Sequence, residues 1–261
     1  MRHARTTLML IPLCAGALAG AGAAAPGGAV TPRDAPPAWA RDAVWYQVFP
    51  ERFLNGDPSN DPRVEDTEGS WPRDPRGEWR LSPWTSDWYR LQPWEAQNGR
   101  GFYYNAQLRR YGGDLEGVLE RLDYLKGLGV GALYLNPVFE SPSLHKYDAA
   151  SHIHVDDNFG PDPAGDRRVV ATEDPADPSS WKWTSADRLL LRLIAEAHRR
   201  GMRVVLDGVF NHVGVTHWAF RDVLRNGRAS PFADWFRIES FDDPATPENE
   251  LRYTGWASVS P

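Results

Sequence analysis

The chain has 261 residues, 41% of them apolar and 25% charged. That suits one large globular domain or two small ones, and it excludes whole-chain disorder, a collagen-like repeat and a long coiled coil. A net charge of −6 without any basic run sets aside nucleic acid as a partner. The single cysteine, Cys14, leaves the chain without a disulfide or a cysteine-built metal site. Tryptophan, with 12 copies, is the outlier. Flat apolar rings suit stacking on sugars, and they serve a large core equally well.

Residues 1–25 read as a secretory signal. Arg2, His3 and Arg5 precede a small, apolar run, and Ala23-Ala24-Ala25 offers a cleavage site. The expected location is secreted or periplasmic, with no membrane contact beyond that signal. A Pro/Gly/Ala-rich linker follows over 26–38. V-W-Y-Q-V-F at 44–49 predicts a strand stopped by Pro50. Residues 54–113, rich in Pro, Gly, Asp and Trp, predict a long loop region with weak elements. Asp114 then caps a helix carrying Val118, Leu119, Leu122 and Leu125, ended by Gly127 and Gly129. A buried strand is predicted over 130–136, and a second long loop runs to about 184. Thr184 or Ser185 caps a helix with Leu189, Leu190, Leu193, Ile194 and Ala197, closed by Gly201. A third strand over 202–206 delivers Asp207 at its end. The alternation predicts parallel βαβ units, in a doubly wound sheet or a barrel. Ligands of either architecture bind at the C-terminal ends of the strands. Gly112-Gly113-Asp114 is no phosphate-binding glycine loop, which disfavours a nucleotide fold.

Three polar clusters follow those strand ends or flank them. His145-Lys146-Tyr147-Asp148 places a ring beside a carboxylate and an imidazole, as a pyranose subsite requires; a surface loop with a structural tyrosine has the same letters. Asp207 and His212 can face one pocket, or Asp207 can simply bond loop amides. Asn55, Asp57, Asn60 and Asp61 alternate around Gly and Pro, a pattern that wraps a hard cation or closes an Asx turn. Trp71, Trp79, Trp84, Trp88 and Trp94 crowd an insertion that either widens a glucan surface or packs onto the body.

The motifs V-W-Y-Q-V-F-P-E-R-F-L-N-G-D-P-S-N-D (44–61), G-G-D-L-E-G-V-L-E-R-L-D-Y-L (112–125), A-L-Y-L-N-P-V-F-E-S-P-S-L-H-K-Y-D (132–148), V-V-L-D-G-V-F-N-H-V-G (204–214) and A-D-W-F (233–236) stand in one order. Together they resemble glycoside hydrolase family 13, the α-amylase family, and most closely its neopullulanase/cyclomaltodextrinase-like branch. The resemblance implies an α/β fold: the N-terminal part of a (β/α)8 TIM barrel, about its first three strands, with the start of a domain B. The expected layout is barrel over 39–213 and domain B from 214 to 261. It implies an α-glucan or maltodextrin substrate, bound by His145, Tyr147, Asp148, Asp207 and His212. It implies a Ca2+ held by Asn55, Asp57, Asn60, Asp61, Gly112 and Asp114. Asn211 corresponds to a calcium position in many α-amylases, less clearly in this branch. The short segment before Trp39 departs from the branch's N-terminal domain, so the sequence does not fix the oligomeric state.

The residues after 208 show no further strand–helix pair, and the family's nucleophile and acid/base follow later strands. The expectation is an N-terminal fragment without catalytic carboxylates, inactive alone, of a secreted enzyme that hydrolyses α-1,4-glucosidic bonds with retention. Glu140 and Asp207, both after strand ends, are the one conceivable pair in the chain, and nothing in the sequence marks them as reactive. The rival readings are a non-catalytic glucan-binding protein and a transglycosylase or isomerase of the same family.

Overall fold

In a computed structural model of the chain, the described residues are 35–73 and 79–255. The predicted signal over 1–25 and most of the linker lie outside them. The chain divides into two units, Met1–Arg41 and Asp42–Pro261. The described end of the first holds the start of a short helix, α1 (Ala38–Asp42).

The second unit is organised by three strands, β1 (Val44–Val48), β2 (Val130–Leu135) and β3 (Arg203–Leu206). They pair in parallel in the order β1-β2-β3. Val48 lies opposite Leu135, and Leu135 opposite Leu206, so all three C-terminal ends fall in register. The middle strand is the most buried: Val130, Ala132, Leu133 and Leu135 are sealed in the core. Such an apolar run is what a parallel strand covered on both faces needs. Val44, Trp45 and Leu206 on the outer strands are exposed. The sheet is the parallel front of a (β/α)8 barrel, as predicted, and is not closed among the described residues.

Three α-helices lie between β1 and β2 among the described residues. α2 (Phe102–Leu108) lies in the stretch predicted as loop. It has no side-chain cap, so nothing local announces it; Arg109, just beyond its end, ties the insertion together. The buried guanidinium donates to both Glu95 oxygens at 2.6 and 2.7 Å, to the Trp88 carbonyl at 2.8 Å and to the Arg90 carbonyl. Most of the tryptophans here pack rather than wait for sugar. Trp79 donates to the Leu108 carbonyl at 2.8 Å, and Trp84 and Trp88 sit 5.4 and 5.2 Å from the Tyr111 ring.

The helix predicted from Asp114 is two, α3 (Leu115–Glu120) and α4 (Leu122–Gly127). Asp114 caps the first by accepting from Gly117 N–H at 2.6 Å. The ladder breaks at Arg121, whose N–H turns back to the Val118 carbonyl at 3.2 Å. Leu115, Val118, Leu122 and Leu125 still face one core, as their spacing predicts.

The second predicted loop contains α5 (Pro163–Val170). Its start was legible: Asp162 caps Gly165 N–H at 2.8 Å and Pro163 occupies the first turn. α6 (Ser185–Arg199) follows, opened by a reciprocal box in which Thr184 and Asp187 bond each other's N–H groups at 3.1 and 3.0 Å. Ala186, Leu189, Leu190, Leu193 and Ala197 form its buried stripe against the same core. After β3 come α7 (Trp218–Asn226) and an antiparallel pair, β4 (Ile238–Ser240) with β5 (Arg252–Tyr253). No helix among the described residues is long and apolar enough to cross a membrane.

α7 is capped by a histidine. His217 Nδ1 accepts from Ala219 N–H at 3.3 Å, and its ring lies 5.9 Å from His152. Burial, and then His152, push its pKa down from 6.5 to about 4. The folded state therefore binds fewer protons here than the unfolded chain. The stabilisation is complete above about pH 6.5 and is lost as pH falls toward about 4, by roughly 3 kcal/mol at most. Urea titrations from pH 7 to 4 are expected to show this loss in the wild type and a shallower one in His217→Asn, which keeps a cap without a titrating ring.

Candidate active site and cation loop

The ends of β2 and β3 bring the two sugar-subsite clusters together. Asp207 follows β3, and its N–H donates to the Leu135 carbonyl at 3.0 Å. Tyr147 reaches across from the loop after β2 and donates its hydroxyl to Asp207 Oδ2 at 2.7 Å. Burial, and then Asp207, raise the phenol pKa of Tyr134 on β2. Burial, and then the Asp207 carboxylate, hold the Tyr147 phenol above its ordinary pKa, so it is a proton donor throughout the physiological range.

His145 stands beside Tyr147 with ring centroids 5.8 Å apart, and its Nδ1 takes the Tyr147 N–H at 3.1 Å. Burial, helped by Arg110, Lys146 and His212, holds its pKa below the imidazole range against the pull of Asp148. His212 is near enough to oppose a charge on His145, and its Nδ1 lies 3.3 Å from the Asn211 amide nitrogen. Asp148 faces inward: its Oδ1 accepts from the hydroxyls of Ser141, at 2.6 Å, and Ser143. The two serines were not singled out from the sequence, where S-P-S reads only as a turn. The cluster combines an aromatic face, a carboxylate acceptor and two imidazoles, which suits a polyhydroxylated ring.

The predicted cation residues also converge. Asp114 accepts four hydrogen bonds, from Gly56 N–H (3.2 Å), Asp57 N–H (2.8 Å), Asn60 Nδ2 (3.2 Å) and Gly117 N–H. It frames the loop and caps α3 at once. Asn55 Nδ2 donates to Asp61 Oδ1 at 2.6 Å. A carboxylate only accepts, so both amides must turn their nitrogens toward it. That leaves Asn55 Oδ1 and Asn60 Oδ1 as buried acceptors with no hydrogen-bond partner. A buried unpaired acceptor costs about 1–3 kcal/mol. Burial, and then the neighbouring Asp114 and Asp57, push the Asp61 carboxyl up in pKa, against Asn55. Orphaned oxygens crowded by negative charge fit a cation. Gly112 closes the site with φ of 72°, and a Cβ there would meet Asp61 Oδ1 at 2.3 Å. Behind it, Glu51 accepts from the N–H groups of Tyr111 and Gly112.

The expectation that the chain carries no carboxylates fit for catalysis is corrected by the loop after β2. That loop folds back on itself: Phe139 bridges Val155, and Glu140 N–H donates to the His154 carbonyl at 3.2 Å. The fold-back brings Glu140 to Asp156 and Asp157, with oxygens of all three within 4.8 Å of one another. The sequence reading paired Glu140 with Asp207 because both follow strand ends, and it missed a partner on the returning limb of one loop. Burial first, then the two aspartates, drive the Glu140 carboxyl well above the usual range, against the pull of Lys146. Asp156 is paired with Lys146, and Asp157 with Arg167 at 2.5 and 2.9 Å. The cluster thus sets a carboxyl raised in pKa beside two cation-paired aspartates, and its oxygens are close enough to share a metal ion. Glu140 and Asp157 line a cavity of about 360 Å³ with His154, Asp166, Arg167 and Thr184.

Comparison with known proteins gives the constellation its family. The α-amylase catalytic-domain pattern ("Alpha amylase, catalytic domain") matches residues 47–171 and 185–259. Neopullulanase 2 of Thermoactinomyces vulgaris is 40% identical over 225 residues, which cover 86% of this chain and 28% of that protein. A cyclomaltodextrinase of Geobacillus thermopakistaniensis is 34% identical over 223 residues, 85% of this chain and 28% of that protein. The chain thus spans under a third of the length of these relatives. Among solved structures, the type III pullulan hydrolase from Thermococcus kodakarensis superposes with a TM-score of 0.57 at 31% identity, over 84% of this chain and 31% of that one. The cyclic alpha-maltosyl-(1→6)-maltose hydrolase from Arthrobacter globiformis, in complex with maltose, gives 0.56 at 33% identity, over 83% of this chain and 36% of that one. With these matches spanning the three strands and both clusters at their ends, the chain belongs to the α-amylase family, glycoside hydrolase family 13, in its neopullulanase/cyclomaltodextrinase-like branch.

Proposed function

We propose that the protein is a secreted glycoside hydrolase that cleaves α-1,4-glucosidic bonds of starch-like glucans or maltodextrins with retention of configuration. The observation that carries this reading is the Tyr147–Asp207 hydrogen bond at the ends of β2 and β3, with the His145 ring 5.8 Å from that of Tyr147. The names of the relatives support it, since they describe enzymes of pullulan, cyclomaltodextrins and maltosyl rings. In this reading the Tyr147 ring covers a glucosyl face, and Asp207 and His212 bond its hydroxyls. Asp148 orders the loop that carries Tyr147. Retention requires a protonated acid and a carboxylate nucleophile about 5–5.5 Å apart. The Glu140 cluster sets a carboxyl raised in pKa by burial and its neighbours close to two cation-paired aspartates. Residues 39–213 are proposed as the front of the catalytic barrel and 214–261 as the start of domain B. Residues 1–25 are proposed as a signal removed on export, which N-terminal sequencing of the exported protein checks.

Tyr147→Ala and His212→Ala are expected to lower turnover of maltodextrin in the native protein by about 10²-fold or more, with folding intact, because contacts that strengthen in the transition state act on kcat. A reducing-sugar assay reads this, and unchanged kcat in both folded variants would place the subsite elsewhere. Glu140→Gln in the same assay decides whether the cluster takes part in the chemistry, since a general acid contributes about 10²–10⁴-fold.

Calcium is the proposed ion of the 55–61 loop, held by Asn55, Asp57, Asn60, Asp61, Gly112 and Asp114. An ion that binds only the folded state stabilises it by about 2.7 kcal/mol at a hundredfold excess over Kd. Melting in calcium is expected several degrees above melting in chelator for the wild type, and the gap is expected to close in Asp61→Ala. Equal melting of the wild type in both conditions would remove the site.

A further inference from the structure

Lys146 is the one non-glycine residue among those described with a positive φ, at 60°. That left-handed backbone favours glycine or asparagine, because a Cβ crowds the following carbonyl there. Here it carries the longest of cationic stems instead, and the residue is only 6% exposed. The ammonium donates to Asp156 Oδ2 at 2.5 Å and to the Ser141 carbonyl at 3.0 Å. It lies 5.0 Å from the centre of the Phe159 ring. The Lys146 N–H is held as well, by Ser143 Oγ at 3.1 Å. A lysine is buried only where its charge is met, and this one is met by Asp156 and the Ser141 carbonyl.

The placement of the partners is informative. Asp156 also accepts from Ser141 N–H at 3.0 Å, and the Ser141 hydroxyl holds Asp148. The left-handed turn stands between His145 and Tyr147, so its φ sets the direction in which the Tyr147 ring leaves the loop. We propose that Lys146 is a positioning residue of the sugar subsite: tied to Asp156, it holds the left-handed turn that aims Tyr147 at Asp207. The proposal rests on the reading of the Tyr147–Asp207 pair as the glucan subsite.

The test uses the native protein, with selectively 13C-labelled tyrosine, in four variants. Tyr147→Ala is the control for the subsite. Lys146→Met removes the charge at similar length. Lys146→Met/Asp156→Asn removes both charges, so that no buried ion is left unpaired if the single variant fails to fold. Lys146→Arg is the conservative exchange. Near-UV circular dichroism and the melting temperature establish folding. In folded Lys146→Met, kcat on maltodextrin is expected to fall about tenfold or more, with a smaller change in KM; the double variant, which also alters the Glu140 cluster, is read by the Tyr147 titration alone. The Tyr147 resonance, assigned by its absence from Tyr147→Ala, is expected to ionise at lower pH than in the wild type because its bond to Asp207 is weakened. Lys146→Arg is expected to recover part of both. A merely structural lysine would lower the melting temperature, leave the kcat-to-KM split unchanged in folded Lys146→Met, and leave the Tyr147 titration unchanged in the folded double variant. That outcome, with Tyr147→Ala impaired, overturns the positioning role alone. Unimpaired turnover in folded Tyr147→Ala overturns the subsite reading beneath it.

Discussion

Everything in the second unit depends on the burial of β2 between two parallel neighbours. Its apolar residues pair on one side with β1 and on the other with β3, and the register brings Val48, Leu135 and Leu206 abreast. Parallel strands end at one side of a sheet, so every loop that leaves a strand end there leaves from the same side. Asp207 follows directly on Leu206, and the loop that carries Tyr147 leaves β2 beside it. A one-residue slip of β3 would turn Asp207 toward the opposite face and separate the pair. The strands therefore act on function through register as well as through stability.

The loops are held to that frame largely by ion pairs, buried at Lys146 and half-exposed at Arg167. Lys146 pairs with Asp156, and Arg167 joins Asp157 to Asp66 at 2.8 Å. Asn158 donates to the Asn60 carbonyl at 3.0 Å, which links the turn after Asp156 to the cation loop. Buried ion pairs add little net stability against an apolar core of the same volume, but removing one partner leaves the other uncompensated. Such a network resists alternative loop arrangements more than it deepens the folded state. His154 belongs to it as well. Its two ring nitrogens face Asp187 and Glu173 at 2.8 Å each, and the hydrogen bonds to these carboxylates outweigh burial and raise its pKa. It fastens the 171–184 segment to the start of α6.

Much of this was legible before the structure. The apolar runs bounded by Pro50 and Pro137, and the helix starts at Asp114 and Thr184, were local signals, and local signals survive folding. The convergence of Asn55, Asp61, Gly112 and Asp114 was legible through family resemblance, because no residue pattern alone joins positions more than fifty apart. Three things were hidden. α2 lacks a cap and is anchored by Arg109 from outside. The Glu140 cluster exists only because one loop returns on itself. The tryptophans of the insertion look like a sugar platform in composition, yet Trp79, Trp84 and Trp88 are committed to Leu108 and Tyr111. In each case a tertiary partner decided the outcome, and the partner lies beyond the reach of periodicity.

The decisive question is whether the aligned ends of β2 and β3 receive a sugar ring. Diffraction from crystals of the native protein soaked with maltotriose answers it most directly. The predicted result is a glucosyl ring stacked on Tyr147 with a hydroxyl on Asp207 or His212. Sugar bound elsewhere, with Tyr147 and Asp207 still paired and uncovered, would contradict it.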